Sequence, residues 1–308
     1  MSNQGALAMH RLTPARLVVA GLAVATLALA PQALAFGTIR SLGQNAEHER
    51  ITRTGLGGAG FGGATLDLLA GKNGTFGAVG APDRPGRGLI SVSQAHCDDG
   101  DWFDKPGYAQ SLSQANAALR ACRSLMYSNL DQALIRAGDL VRPDLSYGDT
   151  TTGSDCPFDG EKGSPKCRTL EYLGLALHAS QDFYSHSNWV DAPRPRPTIE
   201  NPPGLNNNGP AEWLGPSLPA QVPAGLITGC YGFPEWASCR GRVKHDYLNK
   251  DTASTTRGGY DKAMRVAAED TRAKWDQFSG KVRARYGDAR GNKILCVIRS
   301  DRPRESCG

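Results

Sequence analysis

His178, Asp182 and His186 stand four residues apart, in the pattern H-x-x-x-D-x-x-x-H. On an α-helix, steps of four residues advance only about 40° around the axis. The three side chains would therefore line one slowly turning stripe, rising over roughly 12 Å, long enough to serve more than one metal ion. Around them run Leu170, Tyr172, Leu173, Leu175, Ala176, Leu177 and Phe183. That pattern is apolar on almost all sides, which predicts a buried helix. Buried imidazoles and carboxylates without partners cost several kcal/mol. Metal coordination or a dense hydrogen-bond network is needed; the plainer alternative is two core histidines bridged by one Asp.

The chain has six His in 308 residues, and apart from His10 each sits among polar neighbours. His48 lies in Asn45-Ala46-Glu47-His48-Glu49, His96 opens HCDDGDW, and His245 opens HDYLNKD, which ends at Asp251. Asp98, Asp99, Asp101 and Asp104 could bind calcium, but their spacing is not that of the twelve-residue calcium loop. A solvated acidic turn is the other reading. The Gly-rich run 55–64, GLGGAGFGGA, lacks the G-x-x-x-x-G-K-[ST] pattern and follows no clear strand, so it is not read as a phosphate-binding loop.

Helical periodicity supplies the frame for these residues. Apolar or small residues recur through 109–141, as one long helix or two, with Pro143 as a stop; 168–186 is the buried helix; 254–286 repeats Met264, Ala268, Trp275, Phe278 and Val282; and 47–55 predicts a short helix. No alternating strand set occurs, so the fold is expected to be mainly α. With 37 Gly and 19 Pro, long loops must join the helices, and 191–225 reads as an irregular excursion, either a lid or a plain surface loop. No internal repeat or linker divides the chain.

Residues 1–35 read as a secretory signal peptide: Arg11 and Arg16, an apolar run from Leu17 to Ala30, then Ala33-Leu34-Ala35 as an A-x-A cleavage site. Residues 36–308 would then be one metal-binding domain of net charge +3, too weak a field to argue for nucleic acid or an anionic membrane. All eight Cys lie in that part, and an oxidising compartment suggests up to four disulfides. Eight Cys allow 105 pairings. Pairs of sequence neighbours, Cys156–Cys167, Cys230–Cys239 and Cys296–Cys307, would close short loops and leave Cys97 with Cys122. No C-x-x-C is present, which argues against a thiolate zinc site.

These residues resemble the zinc-dependent phospholipase C family and the secreted zinc nucleases that share its all-α fold. That family has a ligating mature N-terminus with a His about a dozen residues on, matched by Phe36 and His48. Its P-D followed by a His-Asp motif is matched by Pro82-Asp83 and HCDDGD from His96. Its helix motif is matched by His178, Asp182 and His186, and its last His by His245. The resemblance implies a multi-helix phospholipase C-like fold with up to three zinc ions. One would be held by Asp83, His96, His178 and Asp182. A second would use His186, His245 and a carboxylate, and a third the Phe36 amino group and carbonyl with His48 and a bridging Asp182. Asp83 is the general base by the same resemblance. The chain departs in having Phe rather than Trp at the presumed terminus and three rather than five residues between Asp182 and His186. It also has Asn249 where the family has a Glu, so that Asp251 or Asp246 would substitute.

A closer resemblance, covering about a quarter of the chain, lies in HASQDFYSHSNWVD (His178–Asp191), FGTIRSLGQNAEHERIT from Phe36, and LNKD (Leu248–Asp251). These segments look like the secreted actinobacterial CinY-type proteins and, more distantly, the fungal Het-C heterokaryon-incompatibility proteins and a segment of some von Willebrand factor A proteins. The expectation is a secreted zinc-dependent hydrolase of phosphodiesters, with phospholipid favoured over nucleic acid and peripheral membrane contact. Phe61, Trp102, Trp189, Trp213 and Trp236 are candidates for an apolar cleft. The alternative is a non-catalytic binding protein on the same metal-site fold. Processing of a natural-product peptide rests on the family association alone.

Overall fold

A computed structural model describes residues 36–41, 43–152, 156–160, 162–216, 221–255 and 257–308. The expected signal peptide, 1–35, lies outside the described residues. Among these residues the protein is mainly helical, with only isolated β-bridges and four disulfides. Four helices carry the architecture: α1 (Glu47–Leu56), α3 (Leu112–Ala137), α4 (Pro165–His186) and α6 (Tyr260–Tyr286). The shorter ones are α2 (Gly63–Ala70), α5 (Glu235–Ser238), α7 (Asp288–Arg299) and α8 (Pro303–Ser306).

Helix α4 lies at the centre, packed along α3 and α6, with α1 against α6. It starts where local chemistry dictates. Ser164 Oγ accepts the Cys167 N–H at 3.2 Å, and Pro165 occupies the first turn, where a missing N–H costs nothing. From Lys166 onward nearly every side chain is buried, polar ones included. α3 opens with a capping box between Ser111 and Gln114, worth about 1 kcal/mol. The helical periodicity in the sequence overshot both this helix and α6 by a few residues at their N-termini. The Gly-rich stretch hides α2, which begins at Gly63 and is stapled by Asp301 accepting the Ala64 and Thr65 N–H groups.

The disulfides are Cys97–Cys122, Cys156–Cys167, Cys230–Cys239 and Cys296–Cys307, the neighbour pairing. They suit an oxidising compartment. Closing loops of such lengths contributes roughly 3 kcal/mol each in the chain-entropy picture. No described helix is long and apolar enough to cross a membrane. The 191–225 excursion, whose residues 217–220 lie outside the described residues, is pinned at its root. The Asn188 side chain donates to Pro203 and Gly225 carbonyls, while Asn206 N–H donates to Asp191 O.

Candidate metal centre

Asp182 is the hub of a first group. Its Oδ2 lies 2.9 Å from both His178 Nε2 and His96 Nδ1, and its Oδ1 lies 3.1 Å from His48 Nε2. Asp83 faces the same three rings. Its Oδ1 is 3.8 Å from His96 Nδ1 and His178 Nε2, and its Oδ2 is 3.8 Å from His48 Nε2. His178 Nε2 and His96 Nδ1 are 3.0 Å apart. Two imidazole nitrogens that close, both aimed at one carboxylate, must share a proton or a cation.

Four separate elements deliver these side chains. α1 brings His48, and the turn Ala81–Asp83 brings Asp83. The chain leading to Asp83 lies directly on α4, where only a glycine fits: a Cβ on Gly174 would sit 2.5 Å from the Ala78 carbonyl carbon. Thr38 Oγ1 donates to Asp83 Oδ2. Phe36 is fully buried, with its ring 6.2 Å from that of His48, and Gly37 O accepts the His48 N–H, so this segment lies along the first group.

A second group forms one turn further along α4. His186 Nδ1 lies 3.0 Å from Asp98 Oδ1, and His186 Nε2 lies 3.4 Å from Asp251 Oδ1. His245 Nε2 is 3.8 Å from Asp251 Oδ2, and the two imidazole rings are 4.2 Å apart. Asp246, the other candidate carboxylate, is exposed, 3.9 Å from His245 Nδ1. Cys97 and Asp99, on either side of Asp98, both take the left-handed conformation (φ 57° and 63°). That double reversal lets one short segment send His96 to the first group and Asp98 to the second. Sequence reading offered Asp98 only as one of four possible calcium ligands in the acidic run, not as a partner of His186. Asp99 and Asp101 do not join Asp98: both pair with Arg242, and with Cys230 they form a separate set.

Whether these residues fit a cation can be tested on their lone pairs. All nine polar residues of the two groups are at most 4% exposed. Among the described residues five sets offer ligand atoms within 4.8 Å of one another, and three fall within these groups: His48, His178 and Asp182; Asp83, His96 and His178; Asp98, His186 and His245. The other two are Asp99, Asp101 and the disulfide-bonded Cys230, and Glu235, His245 and the exposed Asp246. Eight buried atoms of the two groups make no hydrogen bond: His48 Nε2, Asp83 Oδ1, His178 Nδ1, Asp182 Oδ1, Asp98 Oδ1, His186 Nε2, His245 Nδ1 and Asp251 Oδ2. Orphaned buried atoms cost free energy singly, and such a concentration of them within two groups is what bound cations would relieve.

The surroundings orient the rings as ligands need. Gln181 Nε2 donates to Thr52 Oγ1 and Thr271 Oγ1, each at 3.0 Å, which turns its Oε1 to His48 Nδ1 at 2.7 Å. His48 Nδ1 therefore carries the proton and Nε2 faces the carboxylates. His96 gives Nε2–H to Leu89 O, and His186 gives Nδ1–H to His96 O. Gln181 and Thr38 were not singled out in the sequence, because an amide and a hydroxyl carry no spacing signal.

Electrostatics fit the same picture. Without a cation, burial works against charge on every imidazole. The carboxylates, Asp182 foremost, overcome it at His96 and push its pKa up to about 9. They also raise His48 and, through Asp98 and Asp251, His186. At His178 burial wins and the pKa falls. Burial opposes charge on Asp182 too, but His178 and His48 hold it well below the ordinary carboxylate value.

Comparison of the chain with protein-family models, with curated proteins and with solved structures returned no match.

Proposed function

We propose that the protein is a secreted, zinc-dependent phosphodiester hydrolase of the phospholipase C-like kind. The observation that carries this reading is the convergence of five His and four Asp into two buried, adjoining groups on one helix, with eight lone-pair or ring atoms left without hydrogen bonds. Imidazole and carboxylate donors suit zinc, and every Cys is committed to a disulfide. Up to three ions are expected, Asp182 serving two of them and Phe36 closing the third. When bound, such ions supply Lewis acidity toward a phosphoryl oxygen and make water a nucleophile at neutral pH.

The chain's own residues do the rest. Asp83, whose Oδ2 accepts from Thr38 Oγ1, is the candidate general base by the phospholipase C resemblance. Gln181 fixes the His48 ring. A phospholipid substrate and peripheral membrane contact are favoured by Phe233 and Trp236, 72% and 73% exposed on the Cys230–Cys239 loop. The Tyr231 ring of that loop lies 5.7 Å from the His245 ring. The other candidate cleft aromatics pack elsewhere: Phe61 on Trp275, Trp189 and Trp213 near Phe183, and Trp102 against a satellite cluster of Ile227, Val243 and Leu248. The phospholipase C-like fold and the kinship with CinY-type proteins belong to the same proposal.

Elemental analysis of the purified protein, paired with phosphodiester hydrolysis before and after chelation, tests it. Two to three zinc ions per chain and chelator-sensitive turnover are expected. Fewer than one ion and no such turnover would overturn it. The deep burial of both groups favours one other reading, a binding protein with a structural metal. An Asp83→Asn variant that keeps its zinc and its native function intact would select that reading over catalysis.

A further inference from the structure

Lys250 has no exposed surface, yet its ammonium has three partners. It donates to Ser187 O at 2.9 Å and to Leu248 O at 2.5 Å, and it lies 3.0 Å from Asp191 Oδ1. Ser187 directly follows His186, Leu248 lies three residues after His245, and Asp251 directly follows Lys250 itself. One nitrogen thus ties together the two chain segments that form the second group, the end of α4 that carries His186 and the 245–251 stretch that carries His245 and Asp251. The Lys250 backbone N–H bonds Ser185 Oγ, and that hydroxyl donates to Asp251 Oδ1 at 2.5 Å.

Asp191 is held from its other side by Arg257, whose Nε lies 2.7 Å from Asp191 Oδ2. The Arg257 guanidinium also donates to Asn201 Oδ1 and Pro202 O, and Arg194 donates to Arg257 O. The network therefore fastens the 191–225 excursion to the second group. Burying an ammonium costs several kcal/mol, and an apolar residue would often serve stability as well or better. What an apolar side chain cannot do is hydrogen-bond two backbone carbonyls while pairing a charge with a carboxylate.

We propose that Lys250, held by the Asp191–Arg257 pair, is the positioning residue of the second metal group, setting His186, His245 and Asp251 without touching a ligand's lone pair. The proposal rests on the metal reading of that group.

Its test is metal affinity resolved group by group. The purified full chain would be loaded with Co²⁺ and titrated with a chelator while the visible bands are followed. Comparison with His186→Ala assigns the step that belongs to the second group. Lys250→Met is expected to weaken that step by about ten- to a hundredfold, as loss of outer-shell support does, and to leave the Asp182 group's step unchanged. Asp191→Asn, milder in shape, should act in the same direction. Lys274→Met is the control, since Lys274 is also buried and paired, with Asp270 at 2.8 Å on α6; it should lower Tm without this selectivity.

Equal weakening of both groups in Lys250→Met, or no weakening in a folded variant, overturns the positioning role. So does failure of both Lys250→Met and Asp191→Asn to fold, which would make the network a requirement of the fold. A wild-type chain that binds no Co²⁺ fails the metal reading itself and takes this proposal with it, so the wild-type arm and the variant arms report separately.

Discussion

The Asp182 group and the His186 group share one helix but are held in different ways. The first draws on α1, the Ala81–Asp83 turn, the His96 segment and the C-terminal half of α4, and its rings are oriented by neutral partners such as Gln181. The second begins where α4 ends. It is completed by loop residues braced by the Cys230–Cys239 disulfide, by single β-bridges at Ser187–Thr228 and Cys230–Lys244, and by a buried ion network. A group with three of its five side chains on helices takes much of its geometry from regular secondary structure. A group set at a helix end must have its geometry imposed from outside.

That contrast can be broken by experiment. The largest effect is expected from Asp182→Ala, since three His lean on one carboxylate. Metal should be lost from the first group, hydrolysis should fall to background, and the second group should keep its ion, as read by elemental analysis. Loss of all metal would mean that the groups are one. Next comes Gly229→Ala. A Cβ there would lie 2.3 Å from His245 Cα, so the segment must shift. The second group should lose its metal and the protein should lose on the order of 2 kcal/mol, measured by calorimetry; an unchanged metal count would show that this loop is slacker than its contacts imply. Gln181→Met should weaken the first group by about tenfold and spare the second, as seen by chelator competition.

The smallest effect concerns pH. With its folded pKa raised to about 9, metal-free His96 contributes stability that is complete below the unfolded value near 6.5 and is lost as pH rises through 9. The Tm of the chelated protein should therefore fall across that window. A metal ion must displace the same proton, so its affinity should rise over the same range. The Tm gap between loaded and chelated protein should widen with pH; a constant gap would mean that the His96 proton is not in competition with metal.

Much of the first group was legible in the sequence for a physical reason. His178 and Asp182 advertise themselves by helical spacing within an apolar run, and the helix they predicted begins and ends near the observed one. The second group was only half legible. His186 belongs to the same spacing, but Asp98 depends on two left-handed residues, a conformation that no side-chain pattern at Cys97 or Asp99 announces. Lys250 was invisible as a partner of Asp191, because a contact across 59 residues of sequence leaves no period. The short helix α2 was masked by glycines whose flexibility reads as loop until Asp301, far along the chain, is seen to cap it.

Cys97 stands between His96 and Asp98, and its disulfide ties that link to Cys122 on α3. Any sliding of α3 against α4 must then drag both ligands in a single motion, one in each group. The two groups are separate in coordination but share this covalent link to α3. A shift of α3 along α4 would reach both groups through this one link.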